Sequence, residues 1–228
     1  MKRLFISLAI LAGISLSSCN DSFLEKTPVT DLTENNAFNS YDNFKAFMWP
    51  CYEMFTNNTI RTSLQGFGQD GQYKGDMAAG YFQQKYESGY NEFAYQTVAS
   101  VASGNGWDFK SFIRRVNIML SHIDNSSMTE AQKDHWRAVG YFFHSFWYME
   151  LIDRFGDVPW VDQVLQEDSP EAYGPRVDRK TVADKVLERL QWAEQNIGNF
   201  TSQDGDNTIN QDCVRAVISR FGLREGTW

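Results

Sequence analysis

The segment 130–155 constrains the fold of this chain more than any other stretch of its sequence. Apolar residues at spacings of three and four form one helical face, with Trp136, Val139, Phe143 and Trp147. The neighbouring face is also apolar, with Phe142, Phe146 and Met149. A helix that is apolar most of the way round must be buried between other elements. Gly156 and Pro159 predict its end, since glycine suits the residue after a helix and proline stops continuation. The sequence therefore predicts a long, central helix at 130–155.

Four other segments carry helical stripes: 40–55, 108–123, 180–197 and 210–223. We expect Asn39 or Ser40 to cap the first, Pro50 to kink it, and Asn210 to cap the last. No segment alternates apolar and polar residues with a period of two over a strand's length. The predicted fold class is therefore mostly α.

The predicted helices come in pairs, 108–123 with 130–155 and 180–197 with 210–223. Such pairs are typical of helical-repeat arrays, in which the units bury their faces by stacking. The residues of the tetratricopeptide consensus do not occur at their normal spacing. Residues 57–107 differ in kind, with eight glycines and only one possible short helix, 92–101. We expect a tetratricopeptide-like array that carries a loop-rich insertion, where binding residues usually lie.

The N-terminus has the pattern of an export signal. Lys2 and Arg3 precede an apolar run that is too short to span a bilayer, and small residues lead to Cys19. A cysteine in that position indicates a lipoprotein signal at 1–18, with the lipid carried on Cys19. The alternative is a plain secretory signal in which Cys19 is incidental. The polar stretch that follows predicts a tether over 19–38, and the folded domain is expected over 39–228.

The charge of the chain limits its partners. Residues 1–18 hold Lys2 and Arg3 and no acid, so residues 19–228 hold 19 Lys and Arg against 29 Asp and Glu, a net charge of −10. Such a surface disfavours nucleic acid and direct adsorption to anionic lipid. We therefore expect no nucleic-acid partner, and attachment to the membrane through the lipid on Cys19. Two other cysteines, Cys51 and Cys213, lie on apolar helical faces, and we favour two free thiols over a disulfide.

The sequence contains partial matches to cofactor and metal motifs, but each lacks a required residue, spacing or neighbouring element. Residues 66–71 read G-x-G-x-x-G, but the preceding stretch is polar where a dinucleotide site needs a buried strand. Acidic and amide residues alternate over 204–212 as in a calcium loop, but Ile209 and Arg215 occupy the places of the required glycine and glutamate. His122, His135 and His144 are not at metal-binding spacing, and His144 is expected to be a hydrogen-bonded core residue. We expect no cofactor, no metal and no catalytic residue.

The stretch from Trp136 to Pro159, which ends in Gly156-Asp157-Val158-Pro159, resembles the signature helix and turn of the SusD/RagB family of bacterial surface lipoproteins. Other landmarks of that family occur in the same order along the chain: Cys19, Phe23-Leu24-Glu25, Pro28, Trp107, Arg115, Asn117, Tyr173-Gly174-Pro175-Arg176 and Thr181-Val182. The resemblance covers essentially the whole chain.

The resemblance implies an α-helical outer-membrane lipoprotein that faces the exterior. It implies binding of glycans without cleavage, and delivery of them to a SusC-like TonB-dependent transporter. Family members are about twice this length, so the chain is expected to be the N-terminal half of a longer protein. The helix at 210–223 would then pack against the later half, and we expect its apolar face, formed by Cys213, Val217 and Phe221, to be exposed in this chain. Two alternatives remain open: a surface-tethered glycan hydrolase, since two carboxylates can meet from anywhere in a sequence, and a lipoprotein that captures peptides.

The loop-rich insertion supplies the candidate ligand-binding residues. Sugar rings present apolar C–H faces that pack on aromatic rings, and their hydroxyls bind amides and charged groups. The candidates are Tyr73, Tyr81, Tyr86, Tyr90, Asn91 and Trp107. Core packing is the alternative for each, and for Trp107 it is favoured because this residue opens a helix. The helix at 136–155 is expected to be scaffold.

Overall fold

In the computed structural model, residues 37–55 and 110–226 are described, and they belong to one compact unit. This part of the chain contains helices joined by turns and short loops, with one isolated bridge between Val158 and Val177. The α-helices are α1 Tyr41–Met48, α2 Lys110–His122, α3 Glu130–Phe155, α4 Arg179–Asn196, α5 Thr201–Asp204 and α6 Gln211–Glu225. Two 3₁₀ helices span Trp49–Phe55 and Pro170–Tyr173. The prediction of a mostly α fold is confirmed.

Helix α3 is the central element of the described part, as its sequence predicts. Its bounds are those expected from the pattern, and residues on most of its circumference are buried. It packs against α2 on one side and α4 on another, while α4 also packs against α6. The expected pairs, α2 with α3 and α4 with α6, are therefore confirmed. The tetratricopeptide-like stacking stays a prediction, and the insertion at 57–107 lies outside the described residues.

Local sequence explains where the helices begin and end. Thr129 and Gln132 form a capping box at the start of α3, in which each side chain binds the backbone of the other residue. Ser40 caps α1 and Asn210 caps α6, each accepting a bond from a backbone N–H of the first turn. Gly156 ends α3 with a φ of 67°, a conformation that glycine adopts without the steric cost of a Cβ.

Pro50 changes the first helical segment more than a kink would. The α-helix ends at Met48, and the chain continues as a 3₁₀ helix from Trp49. Proline has no N–H to donate and its ring crowds the preceding turn, which favours this change of helix type. The stripe still faces the core, since Met48 and Cys51 are buried on either side of the junction.

Two further expectations are modified by burial. Phe38, which the sequence assigns to the tether, is buried and packs on Phe44 and Phe47, so the folded body includes it. The expectation that the apolar face of 210–223 is exposed is wrong for Val217 and Phe221. Both are buried in the core, because α6 packs on α4 and α3.

Candidate functional site

The binding residues predicted from the sequence lie outside the described residues. This holds for Tyr73, Tyr81, Tyr86, Tyr90, Asn91 and Trp107, and also for the lipidation site Cys19. Their roles stay predictions. The described part of the chain contains a different candidate, which the sequence did not single out.

This candidate is a cleft of about 260 Å³ between α3, α4 and the segment that follows the Gly156–Pro159 turn. We call it the aromatic cleft, and it is lined by Tyr141, Trp160, Asp162, Lys185, Glu188, Arg189 and Trp192. Four of these residues come from one face of α4, since 185, 188, 189 and 192 follow the helical spacing of three and four. The three aromatic rings come from three separate segments and are each half-buried.

Three buried or mostly buried polar side chains hold the segment that carries Trp160. Tyr148 donates its hydroxyl hydrogen to the carbonyl of Pro159 at 3.0 Å and accepts from the N–H of Val161 at 2.7 Å. His144 Nε2 lies 2.9 Å from the carbonyl oxygen of Val161. Asn117 Nδ2 donates to the carbonyls of Val161 and Gln163, at 3.1 and 3.0 Å. Buried polar groups need such partners, so these side chains fix the backbone at one wall of the cleft.

The expectation for His144 as a hydrogen-bonded core residue is confirmed. Its side chain is fully buried, and burial lowers its pKa well below the usual value. The nearby charge of Arg189 lowers the pKa further, while the hydrogen bond with Val161 acts in the opposite direction. A neutral imidazole that donates to a carbonyl is therefore the form present at neutral pH.

Arg189 forms the floor of the aromatic cleft. Its guanidinium lies 4.8 Å from the ring centroid of Tyr141 and 4.9 Å from that of Trp160. Asp162 lies 3.6 Å from Arg189 Nη2 and accepts a hydrogen bond from Trp160 Nε1 at 2.9 Å. Burial lowers the pKa of Arg189, but arginine starts so far above neutrality that it remains a cation. Cation–π contacts of this kind contribute roughly 0.5–2 kcal/mol each, so the two rings hold the guanidinium of Arg189 in place.

The rim of the cleft has groups of both charges. Lys185 Nζ lies 5.2 Å from the ring centroid of Trp160. Glu188 is exposed one helical turn further along α4. Neither Lys185 nor Glu188 is in an ion pair with another described residue. The cleft therefore combines aromatic rings, a hydrogen-bond donor and an acceptor, which is the chemistry that binds polyhydroxylated ligands.

A second cavity, of about 280 Å³, lies beside the loop between α4 and α6. Here Asp204, whose side chain is only 6% exposed, accepts a hydrogen bond from the Tyr41 hydroxyl at 2.6 Å. The same carboxylate lies 3.2 Å from His135 Nε2 and 3.6 Å from Lys45 Nζ. The acidic residues of 204–212 thus include one that ties helices together, and Asn210 caps α6 as expected. Among residues 37–55 and 110–226, no three His, Cys, Asp or Glu side chains are grouped so that they could hold a metal ion.

Comparison with known proteins assigns the chain to a family. Residues 22–223 match the family model SusD-like, described as starch-binding and associating with the outer membrane. The chain belongs to the SusD-like family. No curated protein matches this SusD-like chain. Of its helices within the described residues, none is long and apolar enough to cross a membrane.

Solved structures agree on the fold of this SusD-like chain. A SusD-like protein from Bacteroides fragilis is 18% identical, with a TM-score of 0.63, over 88% of this chain and 38% of that one. A SusD-like carbohydrate-binding protein from Bacteroides vulgatus is 16% identical, with a TM-score of 0.62, over 84% of this chain and 43% of that one. A second carbohydrate-binding protein of this type from Bacteroides fragilis is 16% identical, with a TM-score of 0.58. The chain thus spans less than half the length of these structures.

Proposed function

We propose that this protein is a cell-surface lipoprotein that binds glycans without cleaving them and delivers them to a SusC-like TonB-dependent transporter. The observation that carries the proposal is the family match over residues 22–223, because the family is described as starch-binding and outer-membrane-associated. Two of the structurally similar proteins are named as carbohydrate-binding. The lipobox at Cys19 supports attachment to the membrane, since several acyl chains on one residue anchor a protein stably.

In this proposal the polar segment 19–36 is a flexible linker between the lipid and the helical body, which begins at Ala37. Polar, proline-containing linkers are extended and solvated, so the body can sit over a transporter and lift away from it. The glycan would be bound by aromatic and amide residues of the insertion, for which Tyr73, Tyr81, Tyr86, Tyr90, Asn91 and Trp107 are the candidates. The aromatic cleft adds a second place with suitable chemistry.

Incubation of the whole chain with polysaccharides separates binding from hydrolysis. Retention of a polysaccharide in an affinity gel, with no new reducing ends, is the expected result. New reducing ends would replace the binding function with the hydrolase alternative. Retention of peptides but of no polysaccharide would favour peptide capture.

Alanine substitutions at Tyr73, Tyr81, Tyr86 and Tyr90, one at a time, test the predicted site region. We expect weaker retention for at least one of them, because an aromatic platform for a sugar ring is lost. Unchanged retention in all four variants would move the site away from the insertion. Delivery is tested by co-purification with a TonB-dependent transporter encoded beside this gene; the absence of any such complex in membranes would leave capture without delivery.

A further inference from the structure

We propose that the aromatic cleft is a subsite for a single neutral sugar residue of the captured glycan. This inference rests on the proposed function and adds to it the place of contact and the class of sugar. It concerns residues of α3, α4 and the segment after the Gly156–Pro159 turn, all outside the insertion in which binding residues are predicted.

The size of the cleft favours one sugar residue. Its volume of about 260 Å³ lies just below the range of roughly 300–1,000 Å³ that is typical of sites for drug-sized ligands. One pyranose ring is smaller than such ligands, whereas an oligosaccharide would extend beyond the walls. A longer glycan would therefore enter the cleft with one residue and continue along the surface.

The walls of the cleft are fixed before any ligand arrives. Arg189 is packed between Tyr141 and Trp160, and Tyr141 meets Trp192 edge to face with ring centroids 5.2 Å apart. The indole N–H of Trp160 is bound to Asp162. A site whose side chains are already ordered loses little conformational entropy on binding, which favours even a small ligand.

The polar groups at the rim suit hydroxyl groups. Lys185 offers only hydrogen-bond donors and Glu188 only acceptors, and a sugar hydroxyl both donates and accepts. Neither side chain is in an ion pair with another described residue, although the charge of Glu188 interacts with that of Arg189. Adjacent hydroxyls of one ring can bind the two side chains, which are one helical turn apart, while the C–H face of the ring packs on Trp192.

Charge indicates that the sugar is neutral. Two cations, Lys185 and Arg189, line the cleft with two carboxylates, Asp162 and Glu188, so the net charge of the cleft is zero. Arg189 and Asp162 already compensate each other at 3.6 Å. A uronate or sulfated sugar would meet Glu188 beside Lys185, and it would approach residues 19–228 against their net charge of −10. Neutral sugars avoid both costs.

The test compares affinity electrophoresis of the whole chain in two sets of gels. One set contains neutral glucans, mannans or galactans, and the other contains polygalacturonate or chondroitin sulfate. The variants are Trp192→Ala, Lys185→Met and Glu188→Gln. The last two change side chains at the rim and keep the fold testable if Trp192→Ala fails to fold. Tyr173→Ala is the matched control, because Tyr173 is an aromatic residue that is 80% exposed and lies outside the cleft.

The expected result is that a neutral polysaccharide retains the native chain. Retention should be about tenfold weaker in Lys185→Met, which loses the charged donor, and several-fold weaker in Glu188→Gln, which replaces a charged acceptor by a weaker neutral one. Tyr173→Ala should be retained like the native chain. Retention that is unchanged in all three cleft variants, or limited to acidic polysaccharides, would overturn the assignment of the cleft and leave the proposed function standing. No retention by any polysaccharide would overturn both.

Discussion

The hydroxyl of Tyr41 donates a hydrogen bond of 2.6 Å to the carboxylate of Asp204, which lies 163 positions further along the chain. This contact ties α1 to the short helix α5. The same carboxylate is 3.2 Å from His135 on the central helix α3. Burial raises the pKa of Tyr41, and the hydrogen bond to Asp204 raises it further, so the hydroxyl remains a donor at every physiological pH. One carboxylate thus joins three elements of the described fold.

Replacing Asp204 by alanine should destabilise the protein more than most surface changes do. The substitution leaves the Tyr41 hydroxyl and His135 without their shared partner in a mostly buried place. We expect the free energy of unfolding to fall by about 2–4 kcal/mol, as measured by urea denaturation. Asp206→Ala, an exposed change in the same loop, is the control and should stay within about 0.5 kcal/mol of the native value. Equal effects of the two substitutions would remove the structural role assigned to Asp204.

Two buried histidines should make the protein less stable in mild acid. Burial lowers the pKa of His135, against the opposing effect of Asp204, and lowers the pKa of His144 still more clearly. In the unfolded chain both titrate near pH 6.5. Below that pH the unfolded state binds more protons than the folded state, so the free energy of unfolding falls as the pH drops toward the folded pKa values. Above about pH 6.5 the full stability is present.

Urea midpoints at about pH 7.5 and about pH 5.5 measure this effect. We expect His135→Gln and His144→Gln to lose less stability than the native chain over that interval. His122→Gln keeps both buried histidines and serves as the control. Burial raises the pKa of Glu150, which acts with the opposite sign, but every variant retains Glu150 and the comparison cancels it. Identical losses in the native chain and both variants would contradict the prediction.

The helices could be predicted because their signals are local. The bounds of α3 follow from the spacing of its apolar residues, from Thr129 and Gln132 at its start, and from Gly156 at its end. Each of these signals lies within a few residues of the feature it determines. Where a prediction failed, as for the burial of Val217 and Phe221, the outcome depended on which other helices pack against α6.

The candidate site could not be predicted in the same way. Tyr141, Trp160 and Trp192 meet only because α3 packs on α4 and because buried side chains hold the segment after Pro159. The spacing of Lys185, Glu188 and Trp192 on one helical face was a usable signal, but an exposed charged stripe usually contacts water. The structural role of Asp204 could not be predicted from the sequence either, because its partners Tyr41 and His135 are distant along the chain.

The close approach of α2 and α3 at Gly140 should make this position intolerant of larger side chains. A Cβ on Gly140 would lie 2.6 Å from the terminal methyl of Met119 and 3.0 Å from Cδ2 of Leu120. We expect Gly140→Val to lower the free energy of unfolding by about 1–3 kcal/mol through overpacking. Gly140→Ala should change the free energy of unfolding little. Alanine gains about 1 kcal/mol of helix propensity over glycine, and the flexible end of Met119 can move aside.

Thermal unfolding of these variants checks the packing of α2 on α3. Ala131→Val is the control, since Ala131 is an exposed residue of the same helix. A Gly140→Val chain that melts at the temperature of the control would show that the two helices do not approach closely at this position.

The two cysteines of the folded body should differ in reactivity. Both are free thiols in the structure, as favoured by the sequence, with Cys51 buried and Cys213 half-buried. Burial raises the pKa of Cys51 to about 12, so both its access and its thiolate fraction are small at neutral pH. We expect a thiol reagent to modify Cys213 well before Cys51 in a Cys19→Ser chain, as followed by mass spectrometry. A chain that carries both Cys19→Ser and Cys213→Ser keeps Cys51 as its one cysteine, and it should react only when urea unfolds it. Equal rates for the two thiols in the native state, or a Cys51–Cys213 disulfide in the purified protein, would contradict this assignment.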